Sequence, residues 1–237
     1  MIKLLLIRID HILFIKITIF VEQKIPIKLE NISVERSFRY AMTEATQHTK
    51  TLVYLLHGYG QLATYFIRKT EGISRETTTF VAPEGMHRFY LQGTAGRVGA
   101  SWMTKEAREI DIHENTLALD QLHEKLLKRL QPERIIVIGF SQGGATAARW
   151  IINGKIEVDT FVSWASVFPP DLTFPDDQLS MKTKKRYFVV GNADPYFDEA
   201  TVEMATIAYE QLGFEVLRFE GNHDLDKQLI EQLIANK

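Results

Sequence analysis

Apolar runs of strand length alternate with amphipathic stretches from residue 51 to the end of the chain. Residues 51–56 (TLVYLL) form an unbroken apolar run of the kind that a strand buried on both faces requires. Gly58 and Gly60 break it, and residues 62–69 have a helical pattern. A second strand is predicted over residues 78–82 (TTFVA), ended by Pro83 and Gly85. Residues 86–112 read as loop, with glycine at 93, 96 and 99. Leu119, Leu122, Leu126 and Leu130 fall on one face of a helix predicted over residues 114–130, which Pro132 ends. Residues 134–138 (RIIVI) are the most apolar strand, with a helix predicted behind them over 143–153. The alternation continues with strands over 160–165, 186–190 and 214–219, and helices over 199–212 and from Asp224, a candidate cap, to the end. A Pro-rich loop (VFPPDLTFPDD) separates the first two of those strands. Strand followed by helix, repeated, predicts an α/β fold with a mostly parallel central sheet and helices on both faces. The ligand site of such a sheet lies beyond the carboxyl ends of its strands.

Residues 1–21 (MIKLLLIRIDHILFIKITIFV) are apolar but interrupted by Lys3, Arg8, Asp10 and Lys16. A membrane span needs about 20 largely uncharged residues, and a signal peptide needs a clean apolar run followed by small residues. The β-branched stretch over 13–21 fits one or two added strands instead. The expected organisation is therefore an N-terminal extension over residues 1–30 and one domain over 31–237, without membrane association.

Composition narrows the chemistry. The 237 residues are 45% hydrophobic and 24% charged, an ordinary globular balance that allows one sizeable core. A net charge of −2 with no basic run gives no reason to expect nucleic acid as a partner. The chain has no cysteine, so disulfides, a thiol nucleophile and thiolate metal sites are excluded. A cytoplasmic location is compatible with this. No H-E-x-x-H is present, and neither His113-Glu114 nor His123-Glu124 is joined by a second histidine one turn on.

The motif that carries chemistry is Gly139-Phe140-Ser141-Gln142-Gly143, a G-x-S-x-G. A buried strand runs into it and a helical pattern leaves it, the strand–turn–helix context of a nucleophile elbow. In proteins with such an elbow the acid and then the base follow the serine in sequence. Of seven histidines, only His223 lies after Ser141. Asp194 follows the carboxyl end of a strand, in GNADP, and is the expected acid. Asp198, four residues on, fits the start of the next helix. His223 would take the Ser141 proton and return it to the leaving group, with Asp194 orienting the imidazole. Oxyanion donors are expected from the backbone N–H groups of Gln142 and Tyr59, the latter in the LHGYG turn after TLVYLL. Trp102 and Phe168, in loops on the same side, are candidate substrate-binding walls. Arg97 or Arg108 are candidates to meet an anionic group of a substrate.

Taken together, LLHGYGQ, GFSQGG, GNADP and the late histidine resemble the phospholipase/carboxylesterase family of α/β hydrolases, which includes acyl-protein thioesterases and small bacterial carboxylesterases. APEGMHRFYLQGTAGRVGASWMT is similar to a bacterial subgroup. The resemblance spans about residues 35–235. It implies the α/β-hydrolase fold with little or no cap domain, and hydrolysis of small-molecule or acyl esters or thioesters through an acyl-serine, without metal or cofactor. It also implies Ser141, Asp194 and His223 as triad. A homodimer is common among such hydrolases, though no interface signal is visible here. Two features depart from the family pattern. Asn222 stands where the family has glycine before the histidine, and the first 30 residues have no counterpart. Peptidase or lactone hydrolase chemistry on the same scaffold, and a binding protein without catalysis, are the competing readings.

Overall fold

The structure, a computed structural model, describes residues 25–45, 48–172, 179–180 and 182–236, and the backbone alone of 2–9 and 12–19. By its internal contacts the chain divides into two units, Met1–Arg36 and Ser37–Lys237.

In the first unit, β1 (Ile2–Ile9) and β2 (Ile12–Ile19) form an antiparallel pair with Ile2 opposite Ile19 and Ile9 opposite Ile12. The β-branched run therefore takes strand form over 13–19, and Phe20 and Val21 lie outside the described residues. Among the described residues, no helix is long and apolar enough to cross a membrane.

The second unit is built on a seven-stranded sheet. Its strands are β3 (Tyr40–Met42), β4 (Thr51–Leu56), β5 (Thr78–Pro83), β8 (Arg134–Phe140), β9 (Val158–Trp164), β10 (Thr183–Gly191) and β11 (Glu215–Phe219). The spatial order is β11-β10-β9-β8-β4-β5-β3. All neighbours are parallel except the short edge strand β3, which runs antiparallel to β5. The chain lays down β4 and β5, then returns across β4 to place β8 on its other side. β4 and β8 thus flank the topological switch point, where an open α/β sheet leaves a crevice above its strand ends. Their register matches Leu56 to Gly139, so the turns carrying His57 and Ser141 emerge side by side.

The core follows from the apolar strands. Leu52 to Leu56 on β4 and Ile136, Val137 and Ile138 on β8 have no exposed surface. Helix α3 (Gln142–Asn153) covers β8 with Ala147, Ala148, Trp150 and Ile151. Full burial of each large apolar side chain contributes roughly 1.5–3 kcal/mol. After the short helix α1 (Ala63–Phe66), helix α2 (Arg108–Leu130) buries Leu119, Leu122 and Leu126, with Leu130 half-buried at its end.

Two expectations are corrected here. The stretch 86–112 is not all loop: β6 (His87–Gln92) and β7 (Ala95–Ser101) form a hairpin, and α2 starts six residues before its predicted first residue. β6 is exposed along most of its length, so it lacks the apolar alternation that marks a strand. The first turn of α2 buries Asp111, whose carboxylate accepts from His87 Nε2 at 2.9 Å, a tertiary contact no periodicity predicts. At the chain's end, the cap of the last helix, α5 (Lys227–Ala235), is Asp226 rather than Asp224. Asp226 Oδ1 accepts from Leu229 N–H. Helix α4 (Glu199–Gln211) precedes β11 and falls where the periodicity places it.

Candidate active site

Ser141 stands between the end of β8 and the start of α3 with φ 52° and ψ −121°. A non-glycine residue in such a conformation costs on the order of 1–3 kcal/mol and persists only where its surroundings hold it. Ser141 N–H donates to Trp164 O at 2.8 Å, and Ser141 O accepts from Gly144 N–H at 2.9 Å. The close turn also needs glycine at 143. A Cβ there would lie 2.2 Å from Leu56 O and 2.6 Å from His57 O, which is inside contact distance. The sequence Gly-Phe-Ser-Gln-Gly thus lets the helix crowd against β4 while the serine projects into a cleft of about 540 Å³. The Ser141 hydroxyl makes no hydrogen bond to another described residue.

The same cleft is lined by His223. Its Nδ1–H donates to Asp194 Oδ2 at 2.7 Å, and Asp194 Oδ1 accepts from Tyr196 N–H at 2.9 Å. The carboxylate side chain is fully buried, so both oxygens are satisfied by donors the fold fixes in place. The imidazole is held between the Phe140 ring, 4.8 Å away centre to centre, and Tyr196 at 4.6 Å. With Nδ1 bound to Asp194, Nε2 is the ring nitrogen left for a partner. The two aspartates have different partners, Asp194 meeting His223 as above. Asp198 caps α4, accepting from Thr201 N–H at 2.8 Å through Oδ1, and is committed to that helix. Asn222 has no positive φ, so this position does not demand glycine.

The turn after β4 supplies the cleft's other wall through Gly58, Tyr59 and Gln61. Its backbone donors can be accounted for one by one. Gly58 N–H donates to Gln61 Oε1 at 2.8 Å, Gly60 N–H to Ala100 O at 2.8 Å and Gln61 N–H to Gly58 O at 3.2 Å. Tyr59 N–H alone in this turn has no acceptor among the described residues. Gln142 N–H, the first of α3, has no intrahelical acceptor either and sits at the positive end of the helix dipole.

His57 beneath this turn is fully buried and belongs to its framework. Nδ1–H donates to Gly58 O at 2.8 Å and Nε2 accepts from Gly85 N–H at 2.9 Å, which fixes a neutral tautomer. Burial pushes this imidazole down to about 4.

A model of the phospholipase/carboxylesterase family matches residues 39–235. The chain belongs to this family. Membership supports hydrolysis of esters as the reaction class. Solved structures similar to this family member include esterase PE8 (20% identity, 84% of this chain and 96% of that chain, TM-score 0.59). The Bacillus cereus carboxylesterase is similar at 17% identity over 83% of this chain and 91% of its own, with a TM-score of 0.60. Zea mays acyl-protein thioesterase 2 is similar at 17% identity over 83% of this chain and 96% of its own, with a TM-score of 0.58. At such identities the likeness is one of fold, a mostly parallel α/β-hydrolase sheet. No curated protein matches the chain in sequence.

Two expected pocket walls of this phospholipase/carboxylesterase member sit elsewhere. Trp102 has no exposed surface. It stacks on His57 at 5.0 Å, and its Nε1–H donates to His57 O at 2.8 Å. It is an anchor under the cleft, because the indole N–H finds its acceptor in the buried turn. Phe168 packs edge-on against Tyr209 and Phe214, while its neighbour Val167 lines the cleft. Sequence reasoning missed two functional supports. The Gln142 side chain clamps the segment after β7, Oε1 accepting from Trp102 N–H at 3.0 Å and Nε2 donating to Met103 O at 2.8 Å. Gln61 holds the Gly58 N–H as above. Both glutamines were legible only as letters inside motifs. Arg108 forms ion pairs with Asp171, as does Arg149, and the Arg149 guanidinium brings the Asp171 carboxyl down to about 2. Among the described residues no three His, Cys, Asp or Glu side chains converge as a metal site.

Proposed function

We propose that this protein hydrolyses carboxylic esters or thioesters through an acyl-serine intermediate. Ser141 Oγ attacks the carbonyl carbon and His223 Nε2 takes its proton. The tetrahedral oxygen is met by the N–H groups of Tyr59 and Gln142. The carbon–oxygen or carbon–sulfur bond then breaks as His223 returns the proton to the leaving group, and water repeats the sequence to free the acid. Asp194 holds the tautomer and stabilises the imidazolium. The observation that carries this reading is the Asp194–His223 bond of 2.7 Å in the cleft where Ser141 sits at φ 52°. A pre-formed elbow, an oriented base and two unclaimed N–H donors are the parts that acyl transfer needs. Its apolar wall, from Phe140, Ala145, Ala165 and Val167, suits an acyl chain.

The test is turnover of p-nitrophenyl esters from acetate to palmitate and of an acyl-thioester, by wild type and Ser141→Ala, with fluorophosphonate labelling alongside. Wild type should turn over, and Ser141→Ala should lose roughly 10⁴-fold or more in kcat. Equal low rates, with no label on Ser141, would overturn the mechanism.

A further inference from the structure

Beside the catalytic cleft lies a second depression, of about 840 Å³, that the mechanism above does not use. The two share Gln61 as a wall. The depression has an apolar floor from Leu62, Phe66 and Val98, and three cations line it: Arg68, Lys69 and Arg97. Among the described residues, no acidic side chain lines it. Lys69 Nζ is tied to Asp224 Oδ1 at 2.5 Å, and Asp224 follows the base His223 directly. Arg68 lies over the Tyr65 ring at 5.3 Å, a contact that steadies its side chain without neutralising it. Neither Arg68 nor Arg97 has an acidic partner among the described residues. Other arginines on this side are paired: Arg39 and Arg88 meet the buried Glu84 carboxylate, and Arg108 meets Asp171.

We infer that this depression is the leaving-group subsite and that it takes an alcohol or thiol bearing a phosphate or carboxylate. The inference rests on the ester-hydrolase reading, because it concerns which end of the ester lies where. His223 must give its proton to the departing oxygen or sulfur, so the leaving group has to lie on the histidine's side of the cleft. The Lys69–Asp224 pair puts the cationic depression on that side. An apolar floor with two unneutralised guanidinium groups at its edge suits a short hydrocarbon spacer ending in an anion, which arginine grips in a bidentate fashion. An anion seated there stands away from the reacting carbonyl, so it would act on binding of substrate and transition state alike.

The experiment uses the full chain and two butyrate esters of one phenol, which differ only in whether its meta substituent is CH₂OPO₃²⁻ or CH₂OH. The methylene insulates the ester from the charge. Wild type should favour the phosphorylated ester by about tenfold or more in kcat/KM, mostly through KM, with the preference shrinking as salt rises. Arg68→Gln/Arg97→Gln should bring the ratio close to one, with the loss falling on the phosphorylated ester. Turnover of the neutral ester with no anionic preference, or with a preference the double variant keeps, overturns the subsite while the hydrolase reading stands. Calorimetry with benzyl phosphate on Ser141→Ala reads the subsite without catalysis. Binding that the double variant loses supports it. Absence of binding overturns it. Binding with no Ser141-dependent turnover of either ester overturns its assignment to a leaving group, together with the hydrolase reading.

Discussion

Ala193 N–H donates to Gly221 O at 2.9 Å, so the loop that carries Asp194 is stitched to the loop that carries His223. Asn192 adds a second stitch, its Oδ1 accepting from Gly221 N–H at 3.1 Å. The loops approach so closely that a Cβ on Gly191 would lie 2.4 Å from Gly221 O. The Asp194–His223 distance is therefore set by backbone contacts between β10 and β11 rather than by the two side chains alone. Gly191→Ala should push the loops apart and lower both kcat and thermal stability, by about 1–3 kcal/mol as overpacking typically costs. Asn192→Ala should lower kcat with a smaller loss of stability. Ester turnover and thermal melting on the same samples check both. An unchanged kcat in Gly191→Ala would mean that the loops do not set the geometry.

Asp194 and Asp198 offer a paired test. Asp194→Asn replaces an acceptor with an amide and turns the histidine to the wrong tautomer, so kcat should fall about 10³–10⁴-fold with little change in fold. Asp198→Ala removes a helix cap, so it should lower the melting temperature slightly and leave kcat intact. Equal effects on rate would contradict the separation of roles.

The legibility of this protein in its sequence followed the strength of its apolar contrast. β4, β8 and α3 are buried, so their residues spell out the strand–turn–helix that carries Ser141. Position after Ser141 was enough to single out His223, because no other histidine follows it. The β6–β7 hairpin was missed because an exposed strand shows no periodicity. Trp102 and Phe168 sit where expected along the chain but point into packing, since side-chain direction depends on partners far away in sequence: His57 for one, Tyr209 for the other. Gln61 and Gln142 escaped for the same reason, as their amides act on backbone that only the fold brings near.

The placement of Trp102 can be checked directly. Trp102→Phe keeps an aromatic ring against His57 but leaves His57 O without its donor. An unsatisfied buried acceptor costs about 1–3 kcal/mol. Urea unfolding should show a loss in that range, while the preference among acyl chain lengths should match that of wild type. A changed chain-length preference would return Trp102 to the pocket wall.

The last prediction concerns acid. His57 is neutral in the fold because burial disfavours its charge, and its titration is lowered from 6.5 to about 4. In the unfolded chain it protonates near pH 6.5, so as pH falls below that value the unfolded state gains protons that the folded state refuses. The stability His57 contributes is thus fully present above pH 6.5 and falls between about 6.5 and 4, by a limit of about 3 kcal/mol. Protonation would also convert Nε2 from acceptor to donor, against Gly85 N–H. Urea unfolding of wild type and His57→Gln at pH 7.5, 5.5 and 4.5 separates this from other titrations. The variant should be the less stable at pH 7.5, since glutamine fits the buried contacts less well, yet lose less as pH falls. A difference between the two proteins that stays constant across these pH values would show that His57 is not the group that titrates.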